Sequence, residues 1–78
     1  MMTVLIAEDE DIILKGLVHL IDWKSMGCKV IGQAHDGEEG EKLIKALRPD
    51  IVLTDIKMPK KSGIKMIEDT ISFCKFKA

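Results

Sequence analysis

The chain has 78 residues, 46% of them hydrophobic and 32% charged, a composition typical of one small globular domain rather than of a disordered segment. Its 12 basic and 13 acidic residues are mixed along the sequence and give a net charge of −1, so no nucleic-acid or membrane surface is indicated for this chain itself. No apolar run approaches the roughly 18 residues of a membrane span and no N-terminal targeting segment is visible, which together predict a protein of the reducing cytoplasm.

The first predicted unit is a buried strand followed by a helix. Residues 3–7 form a continuous apolar run, typical of a strand buried on both faces, and four acidic residues follow at 8–11. Asp11 is a residue type suited to cap a helix, which the apolar spacing then predicts as far as Asp22 and Trp23. The predicted core positions of this helix are Ile12, Ile13, Leu17, Leu20 and Ile21.

A second unit follows with the same organisation. Gly27 suits a turn, and the segment from Cys28 to Ala34 predicts a strand. Asp36, with Glu39 three residues later, comes close to a capping box and predicts the start of a second helix. The apolar face of that helix is predicted to comprise Leu43, Ile44 and Leu47, and Pro49 ends it.

The third unit repeats the design of the first. The apolar run at residues 51–54 predicts a strand that delivers Asp55 at its end, and Ser62-Gly63 opens a helical pattern with its apolar side at Ile64, Ile67 and Ile71. Strands that alternate with amphipathic helices over short loops indicate right-handed βαβ units and a parallel sheet. The sequence therefore predicts an α/β fold.

The acidic strand ends predict a shared site. In a doubly wound sheet of order 2-1-3, the first and third strands are neighbours, so Glu8, Asp9 and Asp55 meet in one cleft at the carboxyl ends of the strands. Two such charges about 5 Å apart repel by roughly 3 kcal/mol at an effective dielectric of about 20, which favours a hard divalent cation such as Mg²⁺ among them. Asp55 beside that cation is a candidate nucleophile toward phosphorus. The alternative is that acidic residues at strand ends cap the next helix, and this is the interpretation favoured for Asp11 and Asp36.

Together these motifs resemble the receiver domains of two-component response regulators. The matching residues are the acidic pair Glu8-Asp9, Asp55 after the third strand, Met58-Pro59 three residues on, and Gly63. The resemblance implies a flavodoxin-like, CheY-like doubly wound sheet. It covers all 78 positions, and each motif is weak alone.

The resemblance also implies roles for single residues. Asp55 would be the phosphoacceptor, Asp9 a direct Mg²⁺ ligand, and Glu8 a ligand directly or through water. Lys57 would contribute only its backbone carbonyl, since a protonated ammonium cannot ligate a metal. The phosphodonor would be a sensor histidine kinase. The segment at 20–23, with Gly27 and the 36–39 stretch, is most similar to receivers attached to AraC-like DNA-binding domains, so the effector is expected to be a transcription regulator.

The chain also departs from the family pattern. It matches three of the five βα units of a receiver, so residues 1–78 are interpreted as a partial domain, with a fourth strand beginning around residues 76–78. Neither the switch Ser or Thr nor the Lys of the later strands can be assigned to any residue here. The third strand is then expected to form an open edge through which the chain associates with a second copy or a partner.

Two other functions are possible. The chain could be an inert fragment that folds or self-associates without phosphotransfer. It could also be a phosphatase with Asp55 as nucleophile, but haloacid-dehalogenase-like enzymes carry a second Asp two residues later, where this chain has Lys57. That difference favours a signalling module that is not a turnover enzyme.

The remaining reactive residue types are assigned to ordinary roles. Cys28 and Cys74 are expected to be free thiols, and His19 and His35 lack the spacing of metal ligands. A basic cluster near the predicted site is expected to be a solvated face, with attraction of a phosphodonor as the alternative. Its members are Lys57, Lys60, Lys61 and Lys65.

Overall fold

The computed structural model describes residues 1–71, in which strands and helices alternate as predicted. In chain order the elements are β1 (Met2–Ala7), α1 (Asp11–His19), a 3-10 helix (Lys24–Met26), β2 (Cys28–Ala34), α2 (Gly37–Leu47), β3 (Ile51–Thr54) and α3 (Gly63–Thr70). Cys74 and the predicted start of a fourth strand at residues 76–78 lie outside the described residues. Among residues 1–71, no helix is both long and apolar enough to cross a bilayer.

The three strands form one parallel sheet in the order β2-β1-β3, which confirms the predicted doubly wound order. Ala7, the last residue of β1, is in register with Ala34 at the end of β2 and with Thr54 at the end of β3. All three strands therefore finish at the same rim of the sheet. The residues that follow β1 and β3 meet at this rim, where open parallel sheets place their ligands.

The two faces of the sheet pack on different helices because successive side chains of a strand point in opposite directions. One face joins β1 and β2 to α2 and α3 through the buried residues Leu5, Ala7, Ala34, Ile44 and Met66. The other face joins β1 and β2 to α1 through the buried residues Val4, Ile6, Leu14 and Cys28. The prediction that the first strand is buried on both faces is therefore confirmed.

The start of α1 differs from the prediction. Asp11 is the first helical residue rather than the cap, and the cap position belongs to Glu10, whose side chain makes no capping hydrogen bond. The Asp11 carboxylate lies 3.2 Å from the Lys15 ammonium one turn along the helix. The prediction that Asp11 caps this helix is wrong because its carboxylate lies one position too far along the chain and pairs on the helix surface.

The end and the buried face of α1 also differ from the prediction. The helix ends at His19 rather than near Trp23, and Leu20 closes its last turn with a hydrogen bond to the Gly16 carbonyl at 2.9 Å. Leu14 is buried, whereas Ile12 and Leu20 are each 86% exposed. Apolar residues lie around more than half of this helix, so helical spacing did not determine which stripe would face the sheet.

The start of α2 confirms the predicted cap and adds a variation. The Asp36 carboxylate accepts a hydrogen bond from the Glu39 N–H at 2.8 Å. In a standard capping box the glutamate returns to the N–H of the cap residue, but here Glu39 accepts from the N–H of His35 at 2.7 Å. The backbone N–H groups of His35 and Glu39 are thereby both hydrogen-bonded, which fixes the start of α2 beside the rim.

The buried side of α3 is only partly the predicted one, because Ile67 packs against the buried core whereas Ile64 and Ile71 are exposed. Met66 and Thr70 are fully buried, and Thr70 donates its hydroxyl to the Met66 carbonyl at 2.6 Å. Of the predicted apolar positions, Ile64 is 60% exposed and Ile71 is 45% exposed. With Ile67, these side chains instead line an open apolar groove of about 410 Å³ beside the end of β3.

Candidate functional site

Three carboxylates meet at the rim where the strands end. Glu8 and Asp9 directly follow β1, and Asp55 directly follows β3. One carboxylate oxygen from each residue lies within 4.8 Å of the other two. Because β1 and β3 are hydrogen-bonded neighbours, their parallel pairing places the residues after each strand side by side. The structure thus brings together the three acidic residues that the sequence singled out.

Glu8 is the buried member of this cluster, with 7% of its surface exposed. Its backbone N–H donates to the Ala34 carbonyl at 3.0 Å, and its carboxylate accepts from the Glu10 N–H at 3.0 Å. The Glu10 hydrogen bond lowers the pKa of Glu8, but burial, the Asp9 side chain and the negative charge of Asp55 together raise that pKa above its ordinary value. The cluster therefore carries more negative charge than its surroundings compensate.

Asp55 is exposed and held by backbone hydrogen bonds on both sides. Its N–H donates to the Ala7 carbonyl at 3.0 Å, which extends the β1–β3 pairing by one step. One oxygen of its carboxylate accepts from the Ile56 N–H at 2.8 Å. The carboxylate is therefore fixed in orientation and accessible from solvent, as a nucleophile that meets an external donor has to be.

The donor chemistry of the cluster fits Mg²⁺. The three side chains supply only hard oxygen ligands, and Asp9 and Asp55 are exposed, which leaves room for the several waters that Mg²⁺ retains. A divalent cation also removes the charge repulsion that raises the pKa of Glu8. Lys57 lies two residues after Asp55 and is exposed; the use of its carbonyl as a ligand stays a prediction.

The predicted basic cluster is largely neutralised by ion pairs. Lys60 lies 3.6 Å from Asp36, and Lys65 lies 3.2 Å from Asp69. Lys61 contacts carboxylates of both α2 and α3. Three of the four lysines therefore interact with nearby carboxylates, which supports the interpretation of a solvated face over attraction of a phosphodonor.

Two glycines allow close backbone contacts around the loop after β3, and the sequence analysis predicted the contacts of neither. A Cβ atom on Gly63 would lie 2.0 Å from the Asp55 carbonyl oxygen, and one on Gly37 would lie 1.9 Å from the Lys61 carbonyl oxygen. Backbone therefore packs directly on backbone at both places. Gly63 is one of the motif residues, whereas no local pattern indicates that Gly37 packs on the Lys61 carbonyl.

Among the described residues, none of the other reactive side chains belongs to the acidic cluster. His35 is exposed and contacts Glu39 at 3.0 Å, and Cys28 is a buried free thiol, as predicted. Within residues 1–71, the cluster of Glu8, Asp9 and Asp55 is the one group of potential metal ligands with suitable spacing.

Comparison with known proteins identifies the family to which this fold and site belong. Residues 4–71 match the model of the response regulator receiver domain. The chain therefore belongs to the receiver-domain family of response regulators, as the motifs predicted.

Relatives from several bacteria agree with this assignment. The chain is 43% identical over 68 residues to the uncharacterized transcriptional regulatory protein YesN of Bacillus subtilis, covering 87% of this chain and 18% of that protein. It resembles the solved REC domain of AraT, a response regulator from Geobacillus stearothermophilus, with a TM-score of 0.86 and 35% identity over 91% of this chain and 55% of that one.

A third relative is a solved two component transcriptional regulator AraC from Clostridium phytofermentans. It matches with a TM-score of 0.83 and 30% identity over 92% of this chain and 56% of that one. The chain thus spans about half of the solved receivers and less than a fifth of YesN.

Proposed function

We propose that this chain is a phosphoacceptor receiver domain in which Asp55 accepts a phosphoryl group beside Mg²⁺ from a sensor histidine kinase. The observation that carries the proposal is the meeting of three carboxylates, within 4.8 Å, at the ends of two paired strands. Three carboxylates this close repel one another, and a hard divalent cation among them offsets that repulsion.

The proposed chemistry uses the exposed carboxylate of Asp55. One of its oxygens forms a bond to phosphorus while the bond between phosphorus and the donor's imidazole nitrogen breaks, and the imidazole keeps the electron pair and takes up a proton. Asp9 and Asp55 would hold Mg²⁺ directly, Glu8 directly or through water, and Lys57 through its backbone carbonyl. Bound there, the cation would offset the repulsion between the carboxylate and the anionic donor.

The domain is proposed to act as a signalling module rather than as a turnover enzyme. Phosphorylation would shift a conformational equilibrium that an attached effector detects. Exposed Lys57 occupies the position where a phosphatase of the haloacid-dehalogenase type needs a second acid, which disfavours hydrolysis of external substrates.

Several relatives are named as transcription regulators, so a DNA-binding effector of AraC-like type is proposed for the whole protein, acting in the cytoplasm. Residues 1–78 would then be part of its receiver domain.

Self-association through β3 stays a prediction. Within the described residues β3 pairs with β1 alone, and its other edge borders the apolar groove between β3 and α3. Open edges of this kind pair readily with another chain. Sedimentation at micromolar concentration that finds only folded monomers would contradict it.

Intact-mass measurement after incubation with Mg²⁺ and a small phosphodonor tests the main proposal. We expect the addition of one phosphoryl group to the wild-type chain in the presence of Mg²⁺. We expect no addition when Mg²⁺ is left out, and none to the Asp55→Asn variant. Asp22→Asn is a matched control, because Asp22 is also exposed and lies outside the cluster. No addition to the folded wild-type chain would support the inert-fragment alternative.

A further inference from the structure

The loop that follows β3 is joined to two helices by one side chain. The Lys61 ammonium contacts the Glu41 carboxylate of α2 and lies 2.7 Å from the Asp69 carboxylate of α3. All three side chains are at least two-thirds buried, with Lys61 exposed by 21%. The hydrogen bonds that Lys61 donates to Asp69 and Glu41 raise its pKa to about 12, so the link stays charged throughout the physiological pH range.

The backbone of the same loop has little freedom. Gly63 N–H donates to the Ile56 carbonyl at 2.7 Å, and Lys61 N–H donates to the Pro59 carbonyl at 2.7 Å. Lys60 takes a left-handed conformation with a φ of 68°. With the close approach of Gly37 to the Lys61 carbonyl, these contacts define a single path from Asp55 to α3.

This arrangement couples Lys61 to the acidic cluster through a short covalent path. Asp55 and Lys57, the two proposed ligands in this loop, lie within six residues of Lys61. The ammonium holds the far end of the loop against α2, while the β1–β3 pairing holds its near end through Asp55. Release of the far end would let the loop, and the ligand atoms on it, sample other positions.

We propose that Lys61 is a positioning residue for the Asp55 site: its ion pairs to Glu41 and Asp69 hold the loop in the form that presents the cation ligands. This inference rests on the proposed function, because it concerns the binding of Mg²⁺ at that site. The alternative is that Lys61 only joins α2 to α3 and contributes stability.

The substitution Lys61→Met separates the two roles. Methionine keeps most of the length of the side chain and removes the charge. Neither carboxylate partner is left alone, because Glu41 still lies 3.3 Å from Lys45 and Asp69 still lies 3.2 Å from Lys65. Lys65→Met is the matched control, since Lys65 also pairs with Asp69 but its ion pairs, to Glu68 and Asp69, lie within α3.

The experiment is calorimetric titration of Mg²⁺ into the wild-type chain and each variant, with thermal unfolding in Mg²⁺-free buffer as the measure of folding. We expect Lys61→Met to weaken Mg²⁺ binding on the order of 10-fold, as loss of a group that orients metal ligands does. Lys65→Met should stay within about twofold of wild type, and Lys61→Arg should restore most of the affinity. The variant Glu41→Gln removes the charge that links Lys61 to α2, together with the exposed pair to Lys45, and leaves the Lys61–Asp69 contact in place. It should weaken Mg²⁺ binding in the same direction, and it replaces Lys61→Met as the test if that variant does not fold.

The outcomes are distinguishable. If the wild type binds Mg²⁺ and the folded Lys61→Met and Glu41→Gln variants bind it equally well, the positioning role is wrong and the proposed function stands. If both variants lose thermal stability without loss of affinity, the structural alternative is correct. If the folded wild type binds no Mg²⁺, the proposed function itself fails, and this inference fails with it.

Discussion

Two aspartates flank β3, and their surroundings are opposite. Asp50 precedes the strand and accepts hydrogen bonds from the Thr3 N–H at 2.8 Å and the Thr3 hydroxyl at 3.0 Å, while its own N–H donates back to that hydroxyl at 2.9 Å. Asp55 follows the strand and faces Glu8 and Asp9. One carboxylate is surrounded by donors and the other by carboxylates.

The difference shows that partners, rather than residue type, determine what an acidic side chain does. At the amino end of the β1–β3 pair, the negative charge of Asp50 is used to fasten two strands together. At the carboxyl end, three carboxylates lie close enough to repel one another, which a bound cation would offset. A folded domain tolerates this cost when the same charges perform a function.

The largest expected effect concerns cation binding. Because Asp9 is a proposed direct ligand, Asp9→Ala should weaken Mg²⁺ affinity on the order of 100-fold or more while the fold is kept. Asp50→Ala, at the other end of the same strand pair, should bind Mg²⁺ like the wild type. Calorimetric titration measures both. Equal affinity for the two variants would remove the functional distinction between the two ends.

The second effect concerns stability. Asp50→Ala removes two hydrogen bonds to a charged, half-buried acceptor and should lower the free energy of unfolding by about 2 kcal/mol. Asp11→Ala, which removes only an exposed ion pair with Lys15, should cost less than about 0.5 kcal/mol. Urea denaturation in Mg²⁺-free buffer compares them, and similar midpoints would show that Asp50 does not fasten the strands.

The smallest effect concerns pH. The pKa of Glu8 in the folded chain is raised above its ordinary value of 4.5, so the folded state favours the protonated form. The contribution of the Glu8 carboxyl to the stability of the folded state is complete at pH values below that ordinary pKa, and it is lost as the pH rises through the raised pKa. Glu8→Gln mimics the protonated form and keeps an acceptor for the Glu10 N–H.

In Mg²⁺-free buffer, Glu8→Gln should therefore be as stable as the wild type at about pH 4 and more stable than the wild type at about pH 7. The gain in the free energy of unfolding should be smaller than the loss expected for Asp50→Ala. Urea midpoints at the two pH values test this. A variant that is less stable than the wild type at the higher pH would show that the cluster is not under repulsion.

Sequence reasoning found the sheet and the acidic rim because both depend on local patterns. Continuous apolar runs that end in carboxylates marked β1 and β3, and parallel topology then required Glu8, Asp9 and Asp55 to lie at one rim. Asp50 was missed since its partner Thr3 lies 47 positions away, and no local pattern reports such a contact.

The buried faces of the helices were harder to predict for a related reason. In α3, isoleucines at 64, 67 and 71 have regular helical spacing, yet of these only Ile67 packs against the core. The fully buried residues of the helix are instead Met66 and Thr70. Both stripes of the helix can be buried in principle, and the tilt at which the helix leaves its loop decides between them. The close approach of Gly63 to the Asp55 carbonyl, at the start of α3, is a property of the folded chain that no local pattern reports.

The direct packing of Gly37 and Gly63 on loop carbonyls has a practical consequence for engineering this domain. An inserted residue, or any side chain at position 37 or 63, would have to push backbone aside, so the segment between β3 and α3 is a poor place for a tag or a reporter. The exposed 3-10 helix at Lys24–Met26, followed by the left-handed Gly27, imposes no such demand. Reporters attached there would leave the acidic rim untouched.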